Sequence, residues 1–562
     1  MKQYTKIALA LVLSLACCSA LCGQGNKGYV TGSLESNSIG YVNDNRIPVT
    51  VPEGGIGSNN YLKVDYYRGA LSAGLQAEAY APALVGFPTN LHGAKLANFY
   101  VDWRSRSLGL TAGTFYDQFG SGLLFRSYED RALGYNTAVL GGRLTYSLGG
   151  IVDVKVLGGL PRLPMTAERA AADRHVVYNE WSKTLIGGAD VSLSLSNLLG
   201  WESATVAVEG SVLGRRGAVE PKAVAAGVDV SQLNVGYSGR LNVESGGFVA
   251  RAEWVDAGRN YFATSIAPNG YFVKNSNAQL VDLGYSGGGL GVNLSVRRLE
   301  WMESLIDYTD VVRGDENITN NYLNYVPALC AQYSYTLTNI NPYIPECYYI
   351  NDYYGLYSSG EIGGQLDVYY HFRRGTLLGG KRGMKMNFNL STYYNLKEEG
   401  SALPDNRLWL NVNVGMEKFF TRKFKLKALY AMQQRNINHG MNDVSATAHI
   451  FVADMLYKYT PKLSTRLELQ YLYSQDDMNG YDWMAALFEI NWAPRWSLYA
   501  GDTFNHGAER VHYYNFGVSY TASRTRIALG YGRNRAGLVC SGGVCRTMPA
   551  YTGGNLTITS SF

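Results

Sequence analysis

The sharpest chemical spacing in the chain is Cys540-Ser-Gly-Gly-Val-Cys545. Two glycines between the thiols permit a tight turn, so this pair can close a disulfide. Cys330 and Cys347 form a second candidate bridge, across a stretch rich in Tyr and Asn. The alternative for either pair is free thiols on loops. A zinc site needs three or four convergent ligands, whereas the seven His are scattered from His92 to His512. No metal and no cofactor are expected. Catalytic signatures are also missing: the chain has no H-E-x-x-H, G-x-S-x-G or phosphate-loop motif. Gly287-Gly-Gly-Leu-Gly291 has the glycines of a nucleotide loop, but it lies between two strand patterns with no helix after it. The chain reads as a non-enzyme.

A different chemistry is concentrated in Tyr116–Arg131, where Arg126, Glu129, Asp130 and Arg131 fall within six residues, close behind Gly120 and Gly122. Such charges suit a solvated surface loop. They also suit a loop that folds into a pore and lines a constriction. The aromatic residues Tyr116, Phe119, Phe125 and Tyr128 would anchor the second arrangement.

The elements that must carry these residues are strands. Of 562 residues, 17% are charged, well under the roughly 25% of soluble domains. Gly (64) and Tyr (44) are abundant. The longest apolar run, Ile7–Leu21, is shorter than the ~18 residues of a spanning helix. With Lys2 and Lys6 before it and Ser19, Ala20 and Gly23 after it, this run reads as a cleavable export signal, residues 1–23. Its removal lowers the formal charge of +5 by two, too little positive charge for a nucleic-acid binder. From there on, apolar and polar residues alternate. Met386, Phe388 and Leu390 alternate with Asn387, Asn389 and Ser391, and Leu467 and Leu469 with Glu468 and Gln470. A period of two means strands with two unlike faces.

Short turns such as Thr460–Leu463 and Ala493–Trp496 take turns with longer links such as Gln434–Val444 and Arg533–Ala550. That habit belongs to outer-membrane barrels, with short periplasmic turns and long extracellular loops. Tyr457/Tyr459 and Trp492/Trp496 sit at strand ends, as in an aromatic girdle. The terminal segment, with Leu556, Ile558 and Phe562 on one face, resembles the closing-strand signal of such barrels. The expected fold is all-β: one large antiparallel transmembrane barrel over residues 24–562, of about 24 strands (22–26). Alternation begins almost at the signal, leaving no room for an N-terminal plug.

Tyr116–Arg131 and Cys540–Arg546 with Pro549 resemble an uncharacterised family of Bacteroidota-type outer-membrane barrels. The resemblance implies location and fold and no chemistry. The functional expectation is a porin-like channel with a loop-restricted lumen. The alternative is a non-transporting structural or assembly partner of a surface secretion complex, for which Asn341–Tyr357, six Tyr in 17 residues, would be the contact surface. Expected partners are outer-membrane lipid, the barrel-assembly machinery and a protein at the loops or lumen.

Overall fold

The computed structural model describes residues 28–562, apart from 50, 53, 88–90, 164–180, 218, 220, 230, 307–321, 477–479 and 542–543. The expected signal, residues 1–23, lies outside the described residues. One 24-stranded antiparallel sheet organises the chain. Each strand pairs with its neighbours in sequence, and the first, Tyr29–Val42, also pairs with the last, Tyr551–Ser561, from Ser33↔Ser561 to Val42↔Thr552. The sheet is therefore a closed barrel with no free edge, at the centre of the expected range.

The two faces are inverted relative to a soluble sheet. Phe388, Val414, Leu467 and Leu469 are exposed on the outside, while Asn389, Asn413, Glu468 and Gln470 are buried on the inside. An exposed apolar surface running round a closed sheet belongs against lipid. Closure also satisfies the backbone groups that lipid cannot hydrogen-bond. The barrel is transmembrane.

The lumen wall changes character along its height. Towards the short turns the inward residues are polar, as in Asp454 and Glu468. Towards the long loops they become apolar, as in Ala448 and Ile450 on the same strand. There the loops cover the wall from within, as Leu337 does beside Ile450 and Leu472.

At the short-turn end the connections are minimal. Gly288 and Gly289, both at positive φ (61° and 93°), join Tyr271–Gly287 to Leu290–Glu300. Only glycine adopts two such residues in succession without strain, which is why the glycine run is a hairpin turn and not a ligand loop. At the seam, the Phe562 carbonyl accepts from the Gly32 amide at 3.0 Å, and the Phe562 amide donates to the Gly32 carbonyl at 3.0 Å. The Phe562 ring lies so close over Gly32 that an added Cβ would stand 2.3 Å from it. At the other end of the seam, Asp44 accepts from Arg533 (2.7 Å) and Thr552 (2.7 Å). The Arg533 guanidinium draws the Asp44 carboxyl down to about 2.

Removing residues 552–562 should expose both sheet edges and block assembly. Gly32→Val should displace the Phe562 ring and lower the assembled fraction, as Phe562→Ala should, more mildly. Heat-modifiable gel mobility reads the assembled fraction; a fully assembled chain ending at Tyr551 would refute the seam.

Candidate functional site: the occupied lumen

The segment between strands Leu108–Phe115 and Val139–Leu148 turns inward, and its apolar residues explain why. Phe119, Leu123, Leu124 and Phe125 are almost completely buried against the inward-facing Leu157, Ile186, Leu213 and Val255. Two miniature hairpins shape it: Gln118–Phe119 with Phe125–Arg126, and Glu129–Asp130 with Tyr135–Asn136. Its tip reaches Glu253, whose Oε2 accepts from the Ser121 amide at 3.1 Å. At Gly120, φ is +52°, a left-handed backbone that favours glycine, and an added Cβ would press on the Glu253 carboxylate, 2.4 Å from Oε1. Its other shoulder touches the opposite strands: Gln76 donates to Glu129 Oε1 at 2.6 Å, and Arg131 pairs with Glu35 at 3.0 Å. The segment spans the lumen from wall to wall.

The four charges read from the sequence do not form one cluster. Arg131 meets Glu129 at 3.5 Å and lies 4.6 Å above the Tyr61 ring. Asp130 caps the Leu133 amide at 3.1 Å. Arg126 is stacked over Tyr128 and Tyr325, 4.5 and 4.0 Å from their ring centres.

Tyr325 belongs to a second inward stretch, of which residues 301–306 and 322–359 are described and which the sequence did not place in the lumen. Its anchor is an ion pair with no solvent exposure, Arg297 Nη2 to Glu361 Oε1 at 2.5 Å. Tyr343 donates to the same oxygen at 2.5 Å and the Glu346 amide to Oε2 at 2.8 Å, while Arg297 also donates to the Pro327 carbonyl. These bonds replace the water that both charges lose on burial. Farther along, the 3₁₀ turn Thr336–Asn339 docks on the far wall. There the Leu337 amide donates to Gln470 (2.9 Å) and Gln433 to the Thr338 carbonyl (3.0 Å), beside Leu429, Ile450 and Leu472. A usable signal was the unusual length of this connection, together with a charge at each flanking strand end.

The two loops are joined. The Arg126 amide donates to the Leu323 carbonyl (2.8 Å), the Tyr325 amide to the Gly122 carbonyl (2.9 Å) and Tyr135 to the Tyr322 carbonyl (3.2 Å). Below them the wall carries ion networks. Arg240 meets Asp190 and Glu209, and Arg466 meets Asp454, Glu468 and Glu489. A cavity of about 720 Å³ remains under the first loop, bounded by Lys63, Tyr100, Asp102, Arg104, Tyr116 and Arg131. Among the described residues, no three His, Cys, Asp or Glu side chains converge to hold a metal ion.

The cysteine expectation needs one correction. Cys540 and Cys545 are disulfide-bonded across paired positions of the hairpin Gly537–Ser541/Val544–Met548. Cys330 and Cys347 carry free thiols. They are packed into different apolar clusters: Cys330 with Tyr343, Tyr393 and Trp409, where Asn411 donates to its sulfur at 3.1 Å, and Cys347 with Met302 and Leu323. The packing of the inward loop, which spacing does not reveal, separates them. Of the terminal residues, Leu556 and Ile558 lie in the closing strand and Phe562 in the seam.

A family model described as "Family of unknown function (DUF6029)" matches residues 1–562. The chain belongs to this family. No curated protein matches it. Among solved structures, the family member is similar to the siderophore receptor PirA from Pseudomonas aeruginosa, with 9% identity over 96% of this chain and 81% of that one, at a TM-score of 0.42. It is also similar to the P pilus usher (PapC) translocation pore, with 8% identity over 95% and 99% at 0.35. A third is OccAB4 from Acinetobacter baumannii, with 9% identity over 73% and 96% at 0.31.

Glu361→Ala leaves Arg297 buried without its counter-charge and should cost roughly 3–5 kcal/mol of stability. Replacing both by Met should recover most of it. Urea unfolding from lipid vesicles measures this, and a single variant as stable as the parent would remove the pair from its anchoring role. Outside the barrel wall, His439 Nδ1 lies 2.7 Å from Glu346 and its ring stacks on Tyr349 at 4.0 Å. The hydrogen bond to Glu346 raises the His439 pKa above 6.5. The contact is therefore complete below that pH and lost as pH rises through the higher folded value. Hydrogen exchange around residues 343–350, corrected for intrinsic rate, should speed up across that window in the parent and not in His439→Gln.

Proposed function

We propose that the chain is an outer-membrane protein whose barrel is a polar channel held nearly shut by its own loops. The observation that carries this reading is the segment 116–138, which bridges opposite walls of the lumen from Glu35 and Gln76 to Glu253. The charged wall beneath it supports passage of small polar solutes, since a water-filled lumen is what keeps such groups solvated. Outer-membrane placement is supported by the apolar outer face and by exposed aromatic residues near the short turns, Tyr457, Tyr459, Trp492 and Trp496. Assembly by the barrel-insertion machinery and the absence of a catalytic step belong to the same proposal.

One observation favours the second reading, a structural partner in a surface complex. The tip of the hairpin Tyr349–Asn351/Leu356–Ser358 presents Tyr353 and Tyr354 at 87% and 69% exposure. Tyr343 and Tyr348 of the same stretch instead pack inward, on Tyr393 and Trp301.

Cell fractionation should recover the protein in the outer membrane with heat-modifiable mobility, and recovery in the soluble periplasm would end the proposal. In planar bilayers the intact protein should show small or absent conductance. Deleting Gly120–Arg131 should open a larger, steadier pore. Unchanged conductance in a folded deletion variant would show that this segment does not restrict the lumen.

A further inference from the structure

The connections at the short-turn end differ sharply in charge. Gly69–Ala70, Gly149–Ile151, Gly246–Gly247 and Gly288–Gly289 carry none. Residues 373–383, which join Gly360–Phe372 to Met384–Leu396, carry Arg373, Arg374, Lys381 and Arg382, all exposed, and no acid. Between the two pairs of cations stand Leu377 and Leu378, 98% and 47% exposed. The turns that follow along the rim, 420–423, 459–462 and 493–495, add Arg422, Lys423, Lys462 and Arg495, again without an acid.

The turn is shaped and directed. The Gly375 amide donates to the Gly380 carbonyl at 2.8 Å and the Gly380 amide to the Thr376 carbonyl at 2.7 Å, so the leucines project from a hydrogen-bonded frame. Lys418 Nζ donates to the Leu378 carbonyl at 2.8 Å and lies 5.7 Å over the ring of the exposed Phe420. Lys418 is on the same strand face as the outward Val414, so the turn is tied to the lipid side of the wall, not the lumen. Exposed leucines between cations at this level match an interfacial anchor: apolar side chains at the acyl boundary and basic groups at the height of the phosphates. Arg373, Arg374 and Arg382 can each fork two N–H groups onto one phosphate.

We propose that residues 373–383, with the adjoining basic turns, form a docking site for anionic glycerophospholipid in the leaflet on the short-turn side. Leu377 and Leu378 enter between acyl chains, and the arginines and lysines hold the phosphodiester headgroup. This inference rests on the reading of the barrel as membrane-spanning, which heat-modifiable mobility tests separately.

The test is native mass spectrometry of the full folded chain, titrated with phosphatidylglycerol and phosphatidylcholine of identical acyl chains. The parent should retain phosphatidylglycerol about tenfold over phosphatidylcholine at low salt. R373Q/R374Q/K381Q/R382Q should abolish the preference, and L377S/L378S should lower retention of both lipids. Glycerol 3-phosphate at equal concentration should not displace the lipid. Equal retention of the two lipids by the folded parent would overturn the proposal. So would an undiminished preference in the folded quadruple variant, or displacement by glycerol 3-phosphate, which would indicate a phosphate site with no lipid requirement. Should the quadruple variant not fold, salt decides. The parent's preference should fall steeply as ammonium acetate is raised towards 1 M, where screening acts within about 3 Å, and a preference that does not fall with salt overturns the proposal.

Discussion

The pairing of Tyr29–Val42 with Tyr551–Ser561 is the contact on which everything else depends. Backbone N–H and C=O groups in hydrocarbon have no water to turn to, so an open edge at membrane depth is unaffordable. Closing the sheet removes the edge and at the same time creates an inside. Only then can Glu468 and Gln470 be buried from lipid while Leu467 and Leu469 face it. The seam is reinforced where it is most vulnerable, by Phe562 over Gly32 at one end and by Asp44, Arg533 and Thr552 at the other.

Having an inside poses a second problem. Much of the inward surface towards the long loops is apolar, and a water-filled lumen would leave it wet. The inward loops answer this: Phe119, Leu123 and Phe125 cover one arc of the wall and Leu337 another. The apolar cores of this protein thus lie within the barrel, shared between strands and loops. Arg297 and Glu361 sit where the longer loop departs and returns, and neither charge could remain buried without the hydrogen bonds that this loop supplies.

The parts legible in the sequence were those governed by local rules. Strict alternation disclosed the strands, and the exchange of short and long connections disclosed their up-and-down order. The hairpin spacing of Cys540 and Cys545 disclosed a bridge between paired positions. What stayed hidden depends on contacts far apart in sequence. The route of residues 322–359 is set by partners such as Gln433 and Gln470, more than ninety residues downstream. Cys330 and Cys347 are near in sequence, but the same route leaves them in separate clusters. The charges at 126–131 stand together in the sequence but part in the fold: Arg126 stacks between Tyr128 of its own segment and Tyr325 of the other loop, and the second contact cannot be read from sequence proximity.

The bonds from Arg126 to Leu323 and from Tyr325 to Gly122 bear on kinetics. A pore obstructed by one independent flap would flicker, because the flap could lift by itself. Here neither loop can leave without breaking its bonds to the other and exposing both cores. In the proposed channel the two loops would therefore move together as one unit, not one after the other.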